Sequence, residues 1–242
     1  MLEIRAAVAK INGYMTDESG DTLEKIERPN GGFSFVLIDG QGTGRGAKSL
    51  SNLLAARSIS LLKDGARDEA VAMAVHDYLY MYRMGQVAAT LNILSVDFTS
   101  RQIVMVRNNP APFFVLTPKG MQIYNEESQP IGLYAVTRPQ TVTIPIEPFT
   151  YIVMFTDGLL HAGERYHTDL DLTNYLAGWP TTDGRDPEVL TESLLARALE
   201  LDNGQPSDDM SIVTLAVLPL LMLENEHPFY PARRLIMRAP FE

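Results

Sequence analysis

The 242-residue chain contains no cysteine. Disulfides, thiolate metal sites and cysteine nucleophiles are therefore excluded, and a reducing compartment is compatible with the composition. Basic residues are also scarce: 20 Lys and Arg face 30 Asp and Glu, a formal net charge of -10. A chain this acidic lacks the positive surface with which nucleic-acid and anionic-membrane binders neutralise phosphates, so neither partner is expected. Long apolar runs are missing as well. The longest uncharged stretch, Ser211 to Leu223, is interrupted by Pro219 and is too short to span a bilayer. The opening MLEIRAAVAKINGY carries charges within its apolar stretch and lacks the pattern of a signal peptide. A soluble, cytoplasmic protein is the expectation. No internal repeat or low-complexity block is present. The 45% of hydrophobic residues suffices for a sizeable core in one large domain or two small ones.

What is present begins with strands. Residues 2–14 alternate loosely, residues 21–28 suit a second strand, and Asn30-Gly31-Gly32 reads as the hairpin turn into FSFVLI at 33–38. Two helices are expected over 45–62 and 66–84. Their apolar stripes are read as Leu50, Leu53, Leu54 and Leu61, then Val71, Val75, Leu79 and Tyr82, with a break at Lys63-Asp64-Gly65. Met73, Met81 and Met84 fit core filler. From Val87 the period changes to two, and 87–97, 102–107 and 112–117 read as an antiparallel meander. Shorter strands are expected at 121–124 and 140–146, followed by an apolar one at 150–156. A polar segment spans 163–185, a helix starts at Pro187, and a last strand covers 210–218. This order implies an α+β domain of two packed antiparallel sheets with helices outside. The residues from Pro219 to Glu242 form a Pro-rich tail.

Two of these strands end in the same way, an apolar run and then Asp-Gly: Asp39-Gly40 and Asp157-Gly158. Asp208-Asp209 precedes the last strand, and Asp21 opens the strand hairpinned to the one that ends at Asp39. Taken singly, each Asp-Gly is a turn. As a set at strand ends they are rigidly placed carboxylates, with glycines that allow close approach. If those strands are neighbours, the carboxylates converge with no cationic residue near them in sequence. Such a cluster repels itself, and a Mg²⁺ or Mn²⁺ pair removes that cost and generates a nucleophile.

In order and spacing these motifs resemble the metal-dependent type-2C Ser/Thr protein phosphatases, and within them the stage II sporulation protein E branch. The resemblance is carried by Ser19-Gly20-Asp21, Leu37-Ile38-Asp39-Gly40-Gln41-Gly42, Arg107-Asn108-Asn109-Pro110-Ala111-Pro112 and Gln129-Pro130-Ile131-Gly132. It continues through Phe155-Thr156-Asp157-Gly158 and Ser207-Asp208-Asp209-Met210-Ser211. It implies a four-layer α-β-β-α sandwich over residues 1–218, with two divalent cations, Mn²⁺ or Mg²⁺, at one edge. Asp39 would bridge them with the Gly40 carbonyl contributing, Asp21 would bind one, and Asp157 and Asp208 the other. Asp39 and Asp157 would be the catalytic pair, with a bridging hydroxide attacking phosphoserine or phosphothreonine in line. The implied substrate is a phosphorylated regulatory protein of a bacterial partner-switching pathway, such as an anti-sigma-factor antagonist; a homodimer is compatible with it. The chain departs from the branch at Thr43, where a histidine is common, and at His161, where an acidic residue is common.

The main rival motif, Gly42-Thr43-Gly44-Arg45-Gly46-Ala47, matches a dinucleotide-binding pattern. The acidic residue that should close a parallel strand is instead Asp64, in a turn between two helices. The loop still opens a helix whose free N–H groups suit an anion, so Arg45 and Lys48 are candidate substrate-phosphate contacts. His76, His161, His167 and His227 show no ligand spacing, and Trp179 reads as local packing. A partner-binding module with little catalytic power and a small-ester phosphohydrolase are the competing functions.

Overall fold

The computed structural model of the protein describes residues 1–220. Its first three strands are Leu2–Ile11 (β1), Asp21–Glu27 (β2) and Phe33–Gly40 (β3), followed by helices Gly44–Lys63 (α1) and Asp68–Arg83 (α2). Six strands come next: Ala89–Asp97 (β4), Gln102–Asn108 (β5), Phe113–Thr117 (β6), Gly120–Tyr124 (β7), Gln140–Pro145 (β8) and Thr150–Phe155 (β9). Short helices Asp157–Leu160 (α3) and Leu172–Ala177 (α4) lead to Pro187–Leu201 (α5) and the last strand, Met210–Pro219 (β10).

The strands form two five-stranded sheets, ordered β1-β10-β9-β6-β7 and β2-β3-β4-β5-β8, and every pairing is antiparallel. Three apolar layers hold them. Between the sheets lie Leu37, Leu94, Met105, Ile152, Val213 and their neighbours. Outside one sheet, Val36, Ile38 and Ile93 pack under Leu54, Val75 and Leu79 of α1 and α2. Outside the other, Val153 and Ile212 pack under Leu190 and Leu194 of α5. Strands such as β3 and β9 are covered on both faces, which is why FSFVLI and TYIVMF are nearly unbroken apolar runs. The expected four-layer α-β-β-α sandwich is the observed fold.

Several local expectations differ. The meander over 87–117 breaks after β5: β4 and β5 lie in one sheet, while β6 crosses to the other and pairs with β7 and β9. Strand period cannot say which sheet a strand joins. On α1 the buried stripe runs through Ala47, Leu50, Ser51, Leu54, Ala55, Ser58 and Leu62, whereas Leu53 is exposed. Small residues let the helix sit close to the sheet, and they outweigh a larger leucine on the flank. Tyr82, Met73, Met81 and Met84 are likewise exposed, whereas His76 is buried on α2 with its Nδ1 accepting from the Gly132 N–H. Trp179 packs edge-on against Tyr151. Pro219 closes β10, and the rest of the Pro-rich tail, 221–242, lies outside the described residues. Among the described residues no helix is long and apolar enough to cross a membrane.

Candidate metal centre

The hairpin register places Asp21 directly opposite Asp39 across β2 and β3. In the other sheet, β9 ends one residue before Thr156-Asp157, and β10 begins two residues after Asp208. Since β9 and β10 pair from Phe155↔Ile212, Asp157 and Asp208 share one end of that sheet. The two ends meet. Thr156 Oγ1 and Ser211 Oγ, both in the second sheet's strand-end region, donate to Asp21 Oδ2 at 2.9 and 2.6 Å. Asp21, Asp39, Asp157 and Asp208 are thereby gathered at one edge of the sandwich.

Both Asp-Gly glycines are required by close approach. A Cβ on Gly40 would collide with the Ala47 carbonyl of α1, and one on Gly158 with the Asp209 carbonyl. Asp157 opens the short helix α3 rather than a plain turn, a single helical turn too brief to leave a sequence signature.

The electrostatics are those of crowded like charges. Burial, followed by the negative charges of Asp21, Asp157, Asp208 and Asp209, pushes the Asp39 carboxyl up to about 8. Burial also drives Asp21 up to about 7, opposed by the two hydroxyl donors and by Lys10. Asp208 is raised by burial and by Asp157 and Asp209, with its own neighbouring N–H and His161 acting in the other direction. Among the described residues no protein group hydrogen-bonds to the Asp39 carboxylate.

The adjacent acids of the last motif divide their work clearly. Asp209 is buried, and its two oxygens accept from Gly13 N at 2.8 Å and Gly20 N at 2.6 Å, so it pins the loop before β2. Asp208 presents much of its surface to solvent while its carboxyl lies partly buried near Asp157 and Asp209, and among the described residues it bonds only the Asp209 N–H, at 2.8 Å. Sequence reading gave no geometric reason to separate them.

Cations are nearer than the sequence suggests. Lys10 and Lys48 both donate to the main-chain carbonyl of Asp21, at 2.6 and 2.7 Å. Burial and the neighbouring Lys48 lower Lys10 to about 8. Lys48 also bonds Thr22 Oγ1 at 3.0 Å, so its ammonium is turned into the fold. Arg45 is exposed on the first turn of α1, beside Asp17 and Glu18, and makes no ion pair among the described residues. Thr43 is the exposed cap residue of α1, and His161 bonds Glu164 at 2.6 Å. Lys10, Thr156 and Ser211 have no role in the sequence reading, and Asp209 figures there only as the neighbour of Asp208. Thr156 and Ser211 stand inside the quoted motifs, which is the only signal they leave.

Hard carboxylate oxygens with an unbonded, half-buried member at their centre are the donor chemistry of Mg²⁺ or Mn²⁺. Among the described residues no three His, Asp or Glu side chains approach closely enough to hold an ion. The residue types are those that suit such a cation.

Among solved structures, the PP2C phosphatase domain with a fragment of the regulatory domain of the cell fate determinant SpoIIE from Bacillus subtilis superposes with a TM-score of 0.77 at 19% identity. That match covers 90% of this chain and 64% of that one. The RsbU and RsbW domains of Rv1364c from Mycobacterium tuberculosis give 0.71 at 20% identity, covering 90% of this chain and 60% of that one. RsbX in complex with magnesium gives 0.66 at 16% identity, covering 90% and 100%. At these identities the likeness establishes the fold, that of PP2C phosphatases. No curated protein sequence matches significantly. Residues 29–218 match the stage II sporulation protein E (SpoIIE) family, and the chain belongs to it.

Proposed function

We propose that the protein is a metal-dependent phosphatase of phosphoserine and phosphothreonine in a regulatory phosphoprotein. The observation that carries this reading is Asp39, which stands opposite Asp21 and within the charge field of Asp157 and Asp208, has no hydrogen-bond donor among the described residues, and is raised to about 8 by burial and those charges. A carboxylate so placed is costly in the protein alone and is matched by a divalent cation.

Asp39, the Gly40 carbonyl and Asp21 would hold one cation, and Asp39, Asp157 and Asp208 a second, Mn²⁺ or Mg²⁺. Bound there, such a pair supplies positive charge for phosphoryl oxygens and acidifies water. The chain's own residues do the rest. Gly40 and Gly158 keep both strand ends close to α1 and to the Asp208-Asp209 loop. Asp209 fixes the loop that presents Asp21. Arg45, at the start of α1 and without an ion pair among the described residues, is suited to a substrate phosphate or acidic side chain, whereas Lys48 acts from behind through the Asp21 carbonyl. The absence of cysteine agrees with direct hydrolysis that needs no thiol. Relatives of this fold include RsbU, RsbX and SpoIIE. In keeping with the family, we propose as substrate a phosphoprotein of a cytoplasmic bacterial partner-switching pathway, an anti-sigma-factor antagonist being the leading candidate.

One observation favours a second reading, a phosphatase-like module that binds a partner with little turnover: among the described residues no three acids approach closely enough to hold an ion. Phosphate release from a phosphoserine-bearing antagonist protein, with and without Mn²⁺, separates the two. Release that requires the cation supports the enzyme. Stable binding of the phosphoprotein without release supports the module.

A further inference from the structure

The Asp21 carboxylate is held differently from the other three. Its Oδ2 accepts from both Thr156 Oγ1 and Ser211 Oγ, while no protein group bonds Oδ1 among the described residues. All three residues are buried, Thr156 and Ser211 completely. The two hydroxyls are themselves locked together. Thr156 N donates to the Ser211 carbonyl at 3.0 Å, and Ser211 N donates to Thr156 Oγ1 at 3.0 Å. With that lone pair occupied, the Thr156 hydroxyl proton points to Asp21. Thr156 immediately precedes Asp157 and Ser211 follows Asp208 by three residues. The strands carrying two acids thus grip a third that belongs to the opposite sheet.

We propose that Thr156 and Ser211 are positioning residues for Asp21: they fix its carboxylate by one oxygen across the sheet interface and leave the other for a divalent cation. Hydroxyls suit this task because they stabilise a carboxylate without adding charge that would compete with the cation. Lysine or arginine in their place would neutralise the ligand. The inference rests on the metal-centre reading above.

The test is Mn²⁺ binding to Thr156→Val, Ser211→Ala and the double variant, by calorimetry and by the electron paramagnetic resonance of free Mn²⁺. Loss of an outer-shell partner is expected to weaken affinity by about 10- to 100-fold. Ser211→Thr and Thr156→Ser, which keep a hydroxyl, should bind within a few-fold of wild type. In phosphatase assays the single variants should need more Mn²⁺ but recover wild-type kcat at saturation, a rescue that a structural defect would not show. If Thr156→Val fails to fold, Ser211→Ala measured against Ser211→Thr decides the matter by itself. Wild-type affinity in Ser211→Ala and in the double variant would overturn the positioning role while leaving the metal centre intact. A wild-type protein that binds no Mn²⁺ would overturn both.

Discussion

Asp39 is where sequence, burial and charge meet most sharply. Its ordinary pKa is 3.8, and in the folded protein it rises to about 8, with Asp21 at about 7. The folded chain therefore keeps protons that the unfolded chain releases between those values. By linkage, the metal-free protein is most stable toward the acidic end of that window and loses stability as pH rises through 7 to 8. Calorimetric melting of metal-free protein should show Tm increasing from pH 8.5 to 6; a decrease over that range would contradict the assignment. Asp39→Asn removes the repelling charge. It should flatten this profile and raise the metal-free Tm above pH 8, while abolishing divalent-cation binding. Because cations compete with those same protons, Mn²⁺ affinity should strengthen from pH 6 to 8 with measurable proton release.

The element scale is set by how closely strand ends approach their neighbours. Gly40 lies against the Ala47 carbonyl of α1 and Gly158 against the Asp209 carbonyl. Gly40→Ala and Gly158→Ala should each cost about 1–3 kcal/mol in urea unfolding, as overpacked sites do. Both should also weaken Mn²⁺ binding, because Asp39 and Asp157 move with the backbone. Unchanged stability in either variant would contradict the close approach. At this scale much was legible in advance. Alternating and doubly buried runs located the strands, and the Asp-Gly pairs at their ends located the edge where the acids gather. The hairpin Asp21–Asp39 pairing followed from one turn. What was illegible depends on contacts between distant segments. The Thr156–Asp21 bond joins residues 135 apart, and Asp209 reaches Gly13 across 196. No local pattern encodes such a meeting. The helix faces failed for a related reason: Leu53 and Tyr82 are apolar, but the sheet beneath selects the small and branched residues beside them.

Across the whole molecule, Asp21 and Asp39 lie in one sheet and Asp157 and Asp208 flank the strand ends of the other, joined at this edge by the Asp21 contacts with Thr156 and Ser211. A cation held from both sheets would tie the sandwich together and would be bound only by the folded form. At a free concentration of about 100 times its dissociation constant it would add about 2.7 kcal/mol of stability. Mn²⁺ should therefore raise Tm in a concentration-dependent way, and a chelator should reverse the gain. A Tm indifferent to Mn²⁺ would mean that no such bridge forms. The net charge of -10 adds a milder expectation, that salt raises the stability of the metal-free form by screening like charges.

The central claim, a divalent-cation centre that hydrolyses phosphate monoesters, is tested most directly by turnover of an aryl phosphate across a Mn²⁺ titration, in wild type and in Asp157→Asn. The account predicts saturable, Mn²⁺-dependent hydrolysis by wild type that a chelator abolishes, with activity lost in folded Asp157→Asn. Wild-type protein that neither turns over the ester nor binds Mn²⁺ in calorimetry, or an Asp157→Asn variant as active as wild type, would contradict it.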